Sequence, residues 1–217
     1  MMRTTFAARE FTGDPLPDAT LARILDHARF APSGGNRQGW RVVAVRDPVT
    51  REKLAGLTVP AARRYTAQLQ AGENPWNTVD PSSVDPAAAE RTAPMPRLLE
   101  PLMKAAVVLV VCVDLRVVAA TDQYLDRVGI VGGASIYPFA WNILLAARHE
   151  GFGGTITTLA VAQEPGVKAL LGIPPHVAVA AVMPLGRPAK QLTRLRRRPV
   201  GEIATRERFD GPPLGAG

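Results

Sequence analysis

A nine-residue run without a charged side chain, Ala105 to Val113, constrains the fold of this chain more than any other segment. Valine dominates the run, and Asp114 ends it. A strand that is apolar at every position, rather than at alternate ones, is typically covered on both faces. The run is also too short to cross a bilayer as a helix, since that takes about 20 apolar residues. It therefore predicts a buried central strand.

Helical and extended patterns alternate along the remaining chain, which indicates a mixed α and β protein. Apolar residues at helical spacing from Leu21 to Ala31 follow Asp18, a plausible helix cap. Gly151 suits the left-handed residue just past a helix end. The predicted helices cover residues 21–31, 50–57, 133–150 (the longest) and 164–171, and the other predicted strands cover residues 41–45, 152–156 and 177–182.

Residues 60–100 change character, because proline, alanine, serine and aspartate accumulate there around a few large side chains. Long connections of this kind are usually functional or mobile, so we predict a variable lid outside the core. A chain of 217 residues that is 47% hydrophobic can bury a sizeable core, and we expect residues 1–210 to form one domain. The glycine- and proline-rich residues 211–217 are expected to be a disordered tail.

The net charge of +7 raises the question of a nucleic-acid partner. The arginines are mostly dispersed, however, and the dense cluster between Arg194 and Arg198 has no aromatic side chains among it. Scattered surface arginine, or a small ligand that carries phosphate, explains the same charge, so we expect no nucleic-acid partner. Cys112 is the only cysteine, and no signal peptide or membrane-spanning run is visible. These features favour a cytoplasmic protein without a membrane partner.

Several common catalytic arrangements are missing from the sequence. His27, His149 and His176 lie far apart and show no metal-ligand spacing, so we expect no metal. The glycines at 151–154 follow a helix instead of linking a strand to one, which argues against a dinucleotide fingerprint. Ser33 does not lie in a Gly-x-Ser-x-Gly elbow. A bound cofactor is therefore the expected source of any difficult chemistry.

The loop at residues 31–40 is unusually polar and has unusual backbone freedom. Pro32 stops the preceding helix, and the glycines at 34 and 35 allow backbone angles that other residues resist. Ser33, Asn36 and Gln38 crowd hydrogen-bonding groups into this short segment. A ligand-binding loop and a simple turn both fit these residues.

Four spaced motifs together resemble the nitroreductase family of flavin mononucleotide (FMN) proteins over about residues 7–205, apart from the stretch near 60–100. The motifs are Arg9-x-Phe11 with the loop Ala-Pro-Ser-x-x-Asn-x-Gln-x-Trp at 31–40, the helix around 142–147 with Gly151, the pair Leu171-Gly172-Ile173-Pro174 and Leu185-Gly186-Arg187-Pro188, and Arg197-Arg198-Pro199-Val200-x-Glu202. The resemblance implies an α+β fold, with a central and mostly antiparallel sheet flanked by helices. It also implies an intertwined homodimer with two flavins at the subunit interface.

The resemblance further implies which residues bind the cofactor. Arg9 and Arg197 would hold the phosphate, because guanidinium forms paired, charge-assisted hydrogen bonds. The loop side chains at the pyrimidine edge or ribityl chain would come from the partner subunit, and a segment past the glycine-rich turn would line the ring near its redox-active nitrogen. The loop side chains are Ser33, Asn36 and Gln38. The segment past the glycine-rich turn is Thr157, Thr158 and Leu159. A strand-end turn is the alternative interpretation for the two threonines.

The lid is expected to form a wall over the flavin ring with the side chains of Tyr65, Trp76 and Met95. Family members often carry arginine and serine in the N-terminal segment, where this chain has Thr5, Phe6 and Ala7. The phosphate would then lose one cation and one hydroxyl, which Arg3 or the arginine cluster could replace.

The function implied is reduction of an electrophilic small molecule, such as a nitroaromatic or a quinone, with NAD(P)H as the electron donor. The two substrates would use one open face of the ring in turn, in a two-step mechanism, and no residue can be named as the proton donor. Two alternatives remain open. The same scaffold also supports flavin-dependent oxidation, dehalogenation or flavin fragmentation, and the altered N-terminal segment permits a flavin-sequestering protein without turnover.

Overall fold

The computed structural model describes residues 1–215 and places six α-helices around a four-stranded antiparallel sheet within that range. The helices are α1 (Asp18–Ala28), α2 (Pro48–Gln70), α3 (Pro86–Arg91), α4 (Pro96–Lys104), α5 (Tyr137–His149) and α6 (Glu164–Leu171). The strands are β1 (Trp40–Val45), β2 (Val107–Asp114), β3 (Gly153–Gly154) and β4 (Val177–Gly186), in the sheet order β1-β2-β4-β3. Among these residues, no helix combines the length and the apolar character that a bilayer crossing requires.

Strand β2 lies in the middle of the sheet, paired with β1 on one side and β4 on the other. Its side chains alternate between two cores. Val107, Leu109 and Val111 face the core that contains α1 and α5. Val108 and Val110 face the core that contains residues of α2, α4 and α6. The predicted strand is therefore confirmed, and it is covered on both faces.

The predicted helix at 50–57 is too short. Helix α2 runs for 23 residues and continues through Pro60. Proline inside a helix costs about 3 kcal/mol, because it removes one backbone hydrogen bond and crowds the preceding turn. Ala61, Ala62 and Ala67 are buried beyond the proline, and α2 packs along α3 and α4. Burial of this second half offsets the cost of the proline. The prediction that residues 60–100 lie wholly outside the core was therefore wrong for 60–70.

Two helix starts also differ from the prediction. Pro17 occupies the cap position of α1, while Asp18 is the first helical residue, and its carboxylate pairs with Arg46 at 2.8 Å. The predicted helix at 133–150 divides into a 3₁₀ turn, Val131–Ser135, and helix α5. Proline in the first turn of α5 favours a helix start at that point. An N–H in the first turn has no acceptor within the helix, so proline, which lacks the N–H, loses no hydrogen bond there.

The chain beyond residue 200 folds back on itself. The backbone N–H of Leu214 donates to the carbonyl of Ala204 at 2.8 Å, and that of Arg206 donates to Pro212 at 2.9 Å. Residues 211–215 belong to the tail that was expected to be disordered, and here they carry hydrogen bonds. Residues 216 and 217 of the same tail lie outside the described residues.

Arg51 is a charged side chain within the core and fixes the start of α2. It is 9% exposed, and its guanidinium donates to the carbonyl oxygens of Ala105 at 2.6 Å, Met103 at 3.3 Å and Val45 at 3.4 Å. Burial lowers the pKa of this guanidinium from its ordinary value. Arg51 thus joins α2 to the end of β1 and to the connection between α4 and β2.

Replacing Arg51 by methionine should destabilise the protein by about 2–4 kcal/mol, because three carbonyls in the core would lose a charged donor. Urea unfolding followed by circular dichroism measures this change in the free energy of unfolding. The control is Arg63→Met on the same helix, since the exposed Arg63 donates only to the backbone carbonyl of Glu90 within residues 1–215. There we expect a loss of stability of less than about 1 kcal/mol. Equal losses in the two variants would contradict the role given to Arg51.

Candidate functional site

A cavity of about 570 Å³ opens between α2, α4 and the segment that follows β3. Small-molecule sites in proteins commonly measure about 300–1,000 Å³. The cavity floor comes from residues 155–162 and Pro184, and its wall comes from α2, α4 and the connection between α2 and α3. The size and the mixed lining suit a ligand larger than a metabolite of a few atoms.

Four of the residues predicted to bind a cofactor line this cavity: Arg9, Thr157, Thr158 and Leu159. Thr157 is held on β4, because its backbone exchanges two hydrogen bonds with Val182 at 3.0 and 2.8 Å. Within residues 1–215, the backbone N–H of Thr158 donates no hydrogen bond. These four lining residues carry a guanidinium, two hydroxyls and, within residues 1–215, one backbone amide that donates no hydrogen bond.

The predicted lid contributes to the wall, though not at every residue named. Tyr65 of α2 and Trp76 line the cavity. Met95 does not, and its backbone N–H instead donates to Thr66 Oγ1 at 3.2 Å. Arg97 and Leu98, just after Met95, line the cavity in its place.

Sequence reasoning missed Arg97 because it treated residues 60–100 as irregular. The signal that was available is Pro96, since proline is favoured in the first turn of a helix. Leu98 and Leu102, four residues apart, lie on one face of that helix and both line the cavity. Recognition of α4 would have placed Arg97 at its start.

Trp76 is held in an unfavourable backbone conformation. Its φ of 58° lies in the left-handed region, which for a bulky side chain costs about 1–3 kcal/mol. The buried side chain of Gln68 accepts a hydrogen bond from the Trp76 N–H at 3.1 Å. The guanidinium of Arg64 lies 4.5 Å from the centre of the indole ring. These contacts fix the aromatic wall before any ligand binds.

Glu73 organises the rest of the connection that carries Trp76. Its carboxylate accepts hydrogen bonds from the hydroxyls of Ser82 and Ser83 and from the Ser83 N–H, each at 2.7 Å. These hydrogen bonds lower the pKa of Glu73 to about 2. The carboxylate is therefore ionised near neutral pH, and the turn keeps its acceptor.

The loop with Ser33, Asn36 and Gln38 lies outside the cavity of its own chain. Ser33 Oγ accepts from the Gln38 N–H at 2.9 Å, and the Gln38 amide donates to Asn36 Oδ1 at 3.1 Å. Both Asn36 and Gln38 have positive φ, at 54° and 50°. The Gly34 N–H donates to Ser135 Oγ at 3.1 Å, which anchors the loop. The loop is thus internally bonded, and its amide side chains are exposed.

The predicted phosphate ligand Arg197 does not reach the cavity within the chain, and the N-terminal segment that departs from the family pattern also lies elsewhere. Arg197 is exposed, lies outside the cavity, and donates to the carbonyl of Arg196 at 2.7 Å. Thr5 and Phe6 line a separate small hollow with Arg148. The N-terminal segment therefore packs against α5 rather than adding a hydroxyl to the larger cavity.

A sequence model of the nitroreductase family matches residues 2–187. The chain belongs to the nitroreductase family. The family and the α+β fold predicted from the sequence are confirmed, whereas the homodimer stays a prediction. The relatives within this family support an oxidoreductase.

The nitroreductase-family relatives differ in their activities. An NADH dehydrogenase of Thermus thermophilus is 30% identical over 192 residues, which cover 84% of this chain and 82% of the relative. A 5,6-dimethylbenzimidazole synthase of Rhodospirillum rubrum is 31% identical over 191 residues, which cover 84% and 78%. The crystal structure of oxidised iodotyrosine deiodinase bound to FMN and 3-iodo-L-tyrosine is similar at a TM-score of 0.65 and 18% identity, with 92% of this chain and 94% of that chain covered. That structural likeness shows the fold alone.

Replacing Gln68 by leucine should loosen the Trp76 wall without unfolding the protein, because the Trp76 N–H would lose its acceptor. We expect amide exchange in peptides covering residues 72–80 to become about 5- to 10-fold faster, the effect of roughly one hydrogen bond. Hydrogen-exchange mass spectrometry measures it. Gln70→Leu, on the exposed side of the same helix, is the control and should leave exchange unchanged. Unchanged exchange in Gln68→Leu would show that other contacts hold Trp76.

Proposed function

We propose that this chain is an FMN-dependent oxidoreductase that uses NAD(P)H to reduce an electrophilic small molecule, such as a nitroaromatic or a quinone, in two steps. The proposal rests on one observation: Arg9 and residues 157–159 line the same cavity as the aromatic side chains of Tyr65 and Trp76. The altered N-terminal segment leaves these groups in place. Membership of the nitroreductase family and the NADH dehydrogenase relative support the same class of reaction.

The donors in the cavity fit the chemistry of FMN. A phosphate needs a cationic donor, and Arg9 supplies an exposed guanidinium. Within residues 1–215 it makes one hydrogen bond, at 3.3 Å to the Ala7 carbonyl. A flavin ring needs donors at its edge, and the Thr158 N–H is without a partner among residues 1–215. FMN, when bound, supplies a ring that accepts a hydride and then passes the electrons on.

The side chains around the cavity would orient the reactants rather than exchange protons with them. Thr157 is bonded to Val182 of β4, and the 157–159 segment would set the position of the ring edge. Tyr65 and Trp76 would cover the reacting face and exclude water. Because the sequence has no separate dinucleotide motif, both substrates would use that face in turn. For a nitroaromatic the balance is ArNO₂ + NAD(P)H + H⁺ → ArNO + NAD(P)⁺ + H₂O, with the second proton taken from solvent.

We further propose that the site is completed in a homodimer. The loop with Ser33, Asn36 and Gln38 is polar, exposed and outside its own cavity, as expected for a segment that serves a partner. Tyr137 and Trp141 of α5 are 42% and 38% exposed, which leaves apolar surface for a subunit contact. Arg197 would approach the phosphate only in such an assembly.

A different flavin reaction is the second candidate. The 5,6-dimethylbenzimidazole synthase relative matches this chain at 31% identity, as closely as the NADH dehydrogenase relative does. The wall at Tyr65, Trp76 and Arg97 comes from the segment that did not take part in the sequence resemblance. Substrate choice, and with it the reaction, would be decided there.

The proposed function is tested by the absorption spectrum of the purified protein, with added FMN, before and after anaerobic mixing with NADH or NADPH. We expect a bound-flavin spectrum that bleaches much faster than free FMN at the same concentrations, which is the control. A protein that binds no FMN would overturn the proposal. Bound FMN that stays inert to both donors would favour a flavin-sequestering protein or another flavin reaction.

Replacing Arg9 by leucine should weaken FMN binding about 10- to 100-fold, since a charge-assisted hydrogen bond is worth about 1.5–3 kcal/mol. Fluorescence titration measures the Kd. Riboflavin, which has the same ring without phosphate, should bind the variant and the wild type equally. Arg91→Leu, which removes an exposed arginine that does not line the cavity, is the matched control. Equal weakening for FMN and riboflavin would mean that Arg9 does not contact the phosphate.

A further inference from the structure

The lining of the cavity is unbalanced in charge. It contains two arginines, Arg9 and Arg97, and no aspartate or glutamate among the described residues. The proposed function assigns Arg9 to the cofactor phosphate, which would neutralise it. Arg97 then remains as a cation beside the aromatic wall, with no assigned partner.

Arg97 differs from the other cation of its helix. Lys104 pairs with Glu100 at 2.6 Å. Arg97, the second residue of α4, forms no ion pair and no side-chain hydrogen bond within residues 1–215. It is exposed at the cavity rather than packed in the core, so it has no evident structural task.

The cavity that Arg97 lines also has an aromatic wall. Tyr65 and Trp76 line the same cavity, and Trp76 is fixed in advance by Gln68 and Arg64. Aromatic side chains of this kind prefer to stack on planar rings, and a guanidinium pairs with a carboxylate through two parallel hydrogen bonds. The two features lie within one cavity of about 570 Å³.

We propose that the cavity selects aromatic substrates that carry a carboxylate, and that Arg97 is the residue that makes this selection. The proposal rests on the proposed function and names its substrate class. The carboxylate is a handle and does not react. In 4-nitrobenzoate, the nitro group takes two electrons from NAD(P)H and two protons, one N–O bond breaks, and the products are 4-nitrosobenzoate and water.

The test compares 4-nitrobenzoate with its uncharged methyl ester. Titration calorimetry on the purified protein, with FMN present, measures the Kd of each ligand for the wild type, Arg97→Leu and Arg97→Lys. We expect the wild type to prefer the carboxylate, and Arg97→Leu to bind it about 5- to 20-fold more weakly with the ester unchanged. Arg97→Lys should restore part of the preference, since it keeps the charge without the planar fork.

Two further arms separate the alternatives. Arg91→Leu removes an exposed arginine of the same segment that does not line the cavity, and should leave both Kd values unchanged. Steady-state kinetics measures the KM for NADH and for NADPH in Arg97→Leu. A rise in these values alone, with 4-nitrobenzoate binding unchanged, would assign Arg97 to the electron donor and overturn the proposal.

Other results also overturn it. Equal affinity of the wild type for the carboxylate and the ester would show that there is no selection. Equal weakening of both ligands in Arg97→Leu would show a packing role. If the preference is present and depends on Arg97 while no nitro compound is reduced, the proposed reaction fails and the selection stands.

Discussion

The buried guanidinium of Arg51 is the interaction on which the rest of the site depends. It holds the first turn of α2 against carbonyls from β1 and from the connection between α4 and β2. An α-helix rises about 1.5 Å per residue, so Tyr65 and Gln68 lie some 21–26 Å further along the helix, where its packing on α3 and α4 also holds them. Tyr65 is itself a wall of the cavity, and Gln68 holds Trp76, the other aromatic wall. Arg51 at one end of α2, and the packing of its far half on α3 and α4, together position the two aromatic walls of the cavity.

The connection after α2 shows how backbone strain is retained at the wall of the cavity. A tryptophan with positive φ persists only where its surroundings determine it, and here Gln68, Arg64 and the hydrogen bonds of Glu73 do so. Pre-ordering lowers the entropic cost of ligand binding, because the aromatic wall does not have to be fixed when the ligand arrives.

Local sequence signals predicted elements whose position depends on burial or backbone freedom of a few residues. They failed where the extent of an element depends on packing against distant parts of the chain. The apolar run at β2 and the glycine that ends α5 needed only burial and backbone freedom, and both agree with the structure. Helix α2 passes through Pro60 because its far half is buried, which no local rule registers. Arg9 and Thr157 were predicted to share a site from a resemblance, and they line one cavity. Arg97 reaches that cavity through the packing of α4 on α2, so sequence order alone could not place it there.

The position of Arg97 also constrains the kinetic form that substrate selection can take. A carboxylate on the far side of the aromatic ring keeps its charge while the nitro group is reduced, so Arg97 would hold ground state and transition state about equally. Uniform binding of this kind lowers KM and leaves kcat unchanged. Groups that raise kcat would have to lie where the charge changes, at the ring edge beside the Thr158 N–H and in the second half of the site that a partner subunit would bring. Under this proposal, Arg97 would set substrate affinity while the residues of the cavity floor would position the flavin, so a change at Arg97 would act on KM rather than on kcat.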